Sequence, residues 1–153
     1  MKYLALVILM AFAGLCCKKE LVLIDAVCSV SVSGKEGLKN EKYIFSFVTP
    51  YNSEKISVTG LWIMDRSMDF RVFSLNHNIP TNEFAGNDTI FMSCEQVVWL
   101  DDNVETVLTP DPVANIKPPQ NYEGKALVEY MVGNRKKYFS VEEIRTRNMT
   151  LKH

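Results

Sequence analysis

The sequence predicts an all-β chain, an antiparallel β-sandwich of about seven or eight strands. Apolar and polar residues alternate with a period of two in many short segments, as they do on a strand with one buried face. Beyond residue 20 the strand-favouring residues Val, Ile, Thr, Phe, Tyr and Trp are plentiful, whereas long runs of Ala, Leu, Glu and Lys are missing. Together these two observations favour strands over helices in most of the chain beyond residue 20.

The first two strands differ in the alternation they show. Even-numbered positions of 22–32 are apolar, which predicts a strand with one buried side. The next ten residues, 33–42, are charged and predict a turn region. Residues 43–48 are apolar on nearly both faces, so we expect this strand to lie in the centre of a sheet.

Residues 56–64 predict the third strand. Ile56, Val58, Gly60 and Trp62 share one face in this pattern, and Leu61 lies on the other. A glycine inside a strand often marks a bulge, so we expect one at Gly60.

Five further segments complete the expected order. Strands are predicted at 70–75, 89–100 and 104–108, followed by a proline-rich crossing loop at 109–124. The clearest hairpin joins 126–132 to 135–141 through Gly133–Asn134, a dipeptide suited to a two-residue turn. Residues 140–143 have the spacing of a capping box and predict one or two helical turns. Strands of this number and spacing are typical of an Ig-like sandwich rather than a closed barrel.

The N-terminus has the composition of an export segment. Lys2 precedes an uncharged apolar run over 4–15, which is shorter than the roughly 20 residues of a membrane-spanning helix. Smaller residues follow, as in a signal peptide before its cleavage site. The pattern therefore predicts that the chain leaves the cytoplasm.

Two processing routes remain open. Ala11-Phe12-Ala13 satisfies the rule for ordinary signal peptidase, which would leave a soluble secreted or periplasmic chain that begins at Gly14. The stretch GLCCKKE, with Cys17 (or alternatively Cys16) followed by lysines and an acid, resembles the signal ends of Bacteroidota lipoproteins. That resemblance implies a membrane anchor through an N-terminal lipid and a place in the cell envelope, on its periplasmic or surface face.

Two cysteines in the body predict a disulfide. Cys28 and Cys94 each lie on the apolar face of a predicted strand, and an exported chain folds in an oxidising compartment. We expect an inter-sheet bridge between them; the alternative is a pair of separate buried thiols. With Trp62 between them, the two cysteines loosely resemble the Cys, Trp, Cys pattern of immunoglobulin domains.

Charge and motif content exclude several function classes. The chain carries 17 Lys plus Arg and 18 Asp plus Glu, without the basic stripe that binding to a nucleic acid needs. It has neither the Cys and His spacing of a zinc site nor the oxygen-ligand spacing of a calcium loop, so we expect no metal and no cofactor. The sharpest enzyme hypothesis is Cys94 as a nucleophile with His77 as its base.

The sequence thus predicts four regions: a lipoprotein-type signal peptide at 1–16, a tether at 17–20, a β-sandwich domain at 21–147 and a loose tail at 148–153. The expected function is a non-catalytic binding or accessory module of the cell envelope, with a protein or glycan partner. A small thiol-dependent enzyme using Cys94 and a purely structural envelope component are the alternatives.

Overall fold

The computed structural model describes residues 19–32, 38–75, 83–101, 104–107 and 116–149, and this part of the chain is all-β, without a helix. Cys16, Cys17 and His77 lie outside the described residues. No helix in the described ranges has the length and apolar character needed to cross a membrane. The strands, in chain order, are β1 (Val22–Val32), β2 (Leu38–Thr49), β3 (Ile56–Ile63), β4 (Arg66–Ser67), β5 (Arg71–Ser74), β6 (Asp88–Asp101), β7 (Val104–Val107), β8 (Ala126–Val132), β9 (Arg135–Val141) and β10 (Arg145–Met149).

The strands form two sheets that pack face to face. Sheet A has the order β10-β1-β2-β6-β5, with β7 also paired to β6, and sheet B has the order β4-β3-β8-β9. Phe47 of sheet A meets Phe139 of sheet B edge to face, with ring centroids 5.8 Å apart. The core between the sheets contains buried residues of both, among them Phe45, Phe47, Ile90 and Met92 from sheet A, and Ile56, Leu61, Ala126 and Val128 from sheet B. The predicted two-layer β-architecture is confirmed.

Several local predictions are also confirmed. β8 and β9 have the predicted bounds, and Gly133 in their turn has a φ of 56°, a conformation that glycine adopts without strain. β2 lies between β1 and β6, as expected for a strand that is apolar on nearly both faces. The expected bulge is present, because the pairing of β3 with β8 shifts between Val58 and Gly60.

That bulge reverses the faces predicted for the end of β3. Beyond it, Leu61 and Ile63 join the core, whereas Trp62 lies on the outer face of sheet B. The indole ring covers Gly60, where a Cβ atom would stand 2.6 Å from a ring carbon. The extra residue of a bulge changes the phase of a strand, and this is the physical reason that simple alternation misplaced Trp62.

The proline-rich loop packs on this outer face in the part that the structure describes. Trp62 Nε1 donates a hydrogen bond to the Ile116 carbonyl oxygen at 3.0 Å, and the Asp65 N–H donates to the Tyr122 hydroxyl at 3.1 Å. Leu127, which also lies outside the main core, is fully buried. The loop is therefore held against sheet B by specific contacts at both ends of residues 116–122.

The C-terminal predictions need correction. The predicted helical turns at 140–143 do not form, since β9 continues to Val141 and β10 begins at Arg145. The predicted loose tail from residue 148 is also wrong at its start, because β10 runs to Met149 and pairs with β1 in parallel. The Arg145 guanidinium bonds to the Asp25 carboxylate of β1. Pairing with the edge of β1 satisfies backbone groups that a short helix would leave open at its ends.

The predicted Cys28–Cys94 bridge does not form, and both thiols are free and buried. Cys28 pairs with Tyr43 across β1 and β2, and Tyr43 pairs with Cys94 across β2 and β6. The two cysteines thus lie in one sheet, two strand spacings or about 9.5 Å apart. A disulfide needs Cα atoms within about 7 Å. The sequence pattern located the two apolar faces correctly but placed them in different sheets.

Candidate functional site

Sheet A is longer than sheet B at one end of the sandwich. β2 has 12 residues and β6 has 14, whereas β3 has 8 and β8 has 7. At the other end, loops cover the core, and Phe84 of one loop is 7% exposed. We call the end where β2 and β6 extend beyond Ile63 the overhang end, and the opposite end the covered end.

The inward positions of β2 in the overhang are charged. Glu41, two residues before Tyr43 on the inner side of β2, pairs with Gln96 of β6. One row further out, Lys39 lies on the same face and pairs with Val98. Alternation thus continues past the core, but the inward positions change from aromatic to charged.

A groove runs between the overhang and the end of sheet B, which we call the overhang groove. It has two adjoining parts with cavity volumes of ≈ 260 Å³ and ≈ 230 Å³, which share Lys39, Glu41, Tyr43 and Met64. The first part is completed by Ile63, Arg66, Gln96 and Val98, and the second by Cys28, Val30, Lys125, Ile144 and Thr146.

Glu41 is the centre of the hydrogen-bond network in the groove. Its carboxylate accepts hydrogen bonds from the Tyr43 hydroxyl at 2.7 Å and from Gln96 Nε2 at 2.6 Å. Lys39 Nζ lies 2.7 Å from the same carboxylate. Glu41 is only 8% exposed, so these three donors replace the water that its charge would otherwise bind.

The network fixes the protonation of its members at neutral pH. Burial by itself would raise the pKa of Glu41, but the hydrogen bonds from Lys39, Tyr43 and Gln96 outweigh it and lower that pKa. Burial and the bond to Glu41 raise the pKa of Tyr43. Glu41 is thus a carboxylate with its acceptors occupied, which is the state of a structural or ligand-positioning group rather than of a free general base.

The rim of the groove is more exposed than its floor. Met64 is 63% exposed and sits in the left-handed region, with a φ of 49°. Arg66 and Lys125 are exposed on either side of it, in the first and second parts of the groove. Within the described part of the chain, neither cationic side chain has a hydrogen bond or an ion pair. The rim therefore presents an apolar side chain between two unpaired positive charges.

Cys94, the predicted nucleophile of the enzyme hypothesis, lies elsewhere and in an unfavourable setting. Burial first, and then the charges of Cys28, Glu95 and Asp69, raise the pKa of its thiol to about 12. Nucleophilic cysteines need the opposite, an electropositive and partly exposed site that favours the thiolate. His77, the proposed base, is outside the described residues.

The sequence analysis missed the groove because it assigned 33–42 to a turn. β2 begins at Leu38, so Lys39 and Glu41 belong to a strand. The signal that was present is the continued period of two, from Phe47 and Phe45 through Tyr43 to Glu41 and Lys39. This signal was not recognised because the two further inward positions, Lys39 and Glu41, are both charged.

Comparison with known proteins identified no relative. A scan against models of protein families, a search of curated proteins and a search of solved structures each found no match. Among the described residues, no group of three or more His, Cys, Asp or Glu side chains is arranged to hold a metal ion. The function is therefore inferred from the geometry of the overhang groove.

Proposed function

We propose that this chain is an exported, non-catalytic binding module of the bacterial cell envelope, anchored by a lipid on Cys17 or alternatively on Cys16. The ligand site is the overhang groove, and the partner is a protein or a glycan. Neither a metal nor a cofactor takes part in this proposal. The thiol-enzyme alternative is weaker because Cys94 is 3% exposed, and its burial raises the pKa of the thiol and so disfavours the thiolate.

The observation that carries the proposal is the position of the groove relative to the predicted anchor. β1 begins at the covered end, where Val22 pairs with Val48, and ends at the overhang, where Val32 pairs with Lys39. Its 11 residues span about 33 Å at the usual rise of a strand. An anchored chain would therefore present the groove on the side facing away from the membrane.

The short tether supports the same orientation. Glu20 is ion-paired with Lys137 of β9 at 2.7 Å, and Leu21 is 2% exposed. A lipid on Cys17 would thus be separated from the folded body by only two residues, Lys18 and Lys19. Such a tether would hold the covered end close to the bilayer and limit how far the body tilts.

We further propose that the sandwich is of the Ig-like type. The strand order β1-β2-β6-β5 facing β4-β3-β8-β9 is that of strands ABED facing C′CFG in immunoglobulin domains. The likeness rests on connectivity, since Cys28 and Cys94 correspond to strands A and E rather than to the bridged strands B and F. Loops and strand ends are the usual recognition sites of this architecture.

The anchor is tested by processing in a bacterial host. We expect mass spectrometry of the mature N-terminus to find diacylglycerol on Cys17, and Cys17→Ser to move the chain from the membrane fraction to the soluble fraction. Cys16→Ser is the matched control, and the two variants exchange roles if Cys16 is the modified residue. An unmodified N-terminus at Gly14 in a soluble wild-type chain would overturn the lipid anchor.

A further inference from the structure

We infer that the overhang groove binds an extended acidic peptide with aliphatic side chains, supplied by a partner protein. This inference rests on the proposed function and specifies its ligand class. It uses the charge of the groove, the apolar residues on its rim and its division into two adjoining parts.

The charge of the groove favours an anionic ligand. Among the residues that the structure describes, Lys39, Arg66 and Lys125 line it together with one carboxylate, Glu41, which leaves an excess of two positive charges. Lys39 is already neutralised by Glu41 at 2.7 Å. The two cations left for a ligand are thus those on the rim, one in each part of the groove, where they can pair with carboxylates of an incoming chain.

The apolar residues of the groove favour a ligand that has aliphatic groups between its carboxylates. Met64 stands between the two cationic positions and is exposed over 63% of its surface, and Val30 of β1 lines the second part of the groove. A methionine is flexible and polarizable, so it adapts to varied aliphatic partners. An extended peptide offers this alternation, because its successive side chains point to opposite sides.

The same lining argues against a sugar chain. Protein sites for sugars commonly use the exposed face of an aromatic ring, and Tyr43 is the one aromatic side chain among the described residues that line this groove. Tyr43 is 4% exposed, and its hydroxyl is already bonded to Glu41. The described lining of the groove therefore offers no ring on which a sugar could stack, whereas its charges and aliphatic surface suit a peptide.

The test uses the full-length gene product, purified as the host processes it, and a fluorescent peptide of alternating Asp and Leu residues. We expect saturable binding by fluorescence anisotropy, weakened by added salt, with a shift of the Met64 methyl resonance in ¹³C-methyl NMR spectra. Arg66→Glu and Lys125→Glu should each weaken binding by about tenfold. Arg135→Glu is the matched control, because Arg135 is also exposed in a hairpin but at the covered end, and it should change binding less than about twofold.

Three results would overturn the inference: no saturable binding of the Asp-Leu peptide, equal binding of a Lys-Leu peptide, or equal losses for Arg66→Glu and Arg135→Glu. If oligogalacturonate, but not the peptide, shifted the Met64 methyl resonance, the ligand would be an acidic glycan rather than a peptide. The proposed binding module would still hold in that case. Failure of the anchor is read separately, from the mass of the mature N-terminus, so the two proposals fail independently.

Discussion

The two ends of the sandwich are built from the same strands but from opposite kinds of residue. At the covered end, Phe47 of β2 lies fully buried against Phe139. Six and eight residues earlier on the same inner side of β2 are Glu41 and Lys39. A charge can be tolerated there because sheet B ends near Ile63, so the inward positions border a groove rather than a closed core.

The comparison teaches that strand length, and not only strand pattern, decides where a β-sandwich has a site. Alternation along β2 is continuous, and its first inward positions, Lys39 and Glu41, border a groove because no strand that the structure describes in sheet B opposes them. The covered end should therefore carry stability, and the overhang end should carry recognition at a smaller cost to stability when it is altered.

The largest expected effect is at the covered end. Phe47→Ala removes a fully buried ring and leaves a cavity, so we expect a loss of about 3–5 kcal/mol in the free energy of unfolding. Urea denaturation measures it. Phe73→Ala is the matched control, since Phe73 is half-buried on the outer face of sheet A and stacks only on Phe91; a loss of about 1 kcal/mol is expected there. Equal losses would contradict the assignment of the core.

A smaller effect is expected at the centre of the groove. Glu41→Ala removes the acceptor shared by Tyr43, Gln96 and Lys39, and we expect a loss of about 2 kcal/mol in the free energy of unfolding. Glu41→Gln keeps one acceptor oxygen and should lose about half as much. If Glu41→Ala were as costly as Phe47→Ala, the groove would have to be counted as part of the core.

The dependence of stability on acid pH also tests the role of Glu41. The pKa of Glu41 is lower in the folded chain than its ordinary value of 4.5, so its contribution is present above pH 4.5 and is lost as the pH falls through the folded value. Glu41→Gln should therefore flatten the decline of stability below pH 4.5. Asp25 and Glu129, whose pKa values are also lowered, leave a residual decline.

The smallest effect on stability is expected between the two ends, in the row of paired residues across sheet A that contains both cysteines. Cys94→Ala removes one buried sulfur and should cost about 1 kcal/mol. In the wild-type chain without reductant, Cys28 and Cys94 should resist maleimide while folded and both react after unfolding, as counted by mass spectrometry. Failure of both to react in denaturant would mean that they are bridged after all.

Much of the fold could be predicted from local pattern. The β8–β9 hairpin, the central place of β2 and the bulge at Gly60 all follow from alternation and turn chemistry within a few residues. The candidate site could not be predicted in the same way. A charged strand end has the composition of a turn, and nothing local distinguishes Lys39 and Glu41 from solvated loop residues.

The sequence by itself determined that the part of the chain described by the structure is all-β, where most of its strands lie, and that β8 and β9 form a hairpin. Only the tertiary structure decided that Cys28 and Cys94 share a sheet, that Trp62 faces outward under the proline-rich loop, that β10 pairs with β1, and that sheet A extends beyond sheet B. The physical reason is the range of the interactions. Alternation and turns are set by neighbours along the chain, whereas the pairing and relative length of strands depend on contacts between residues far apart in sequence.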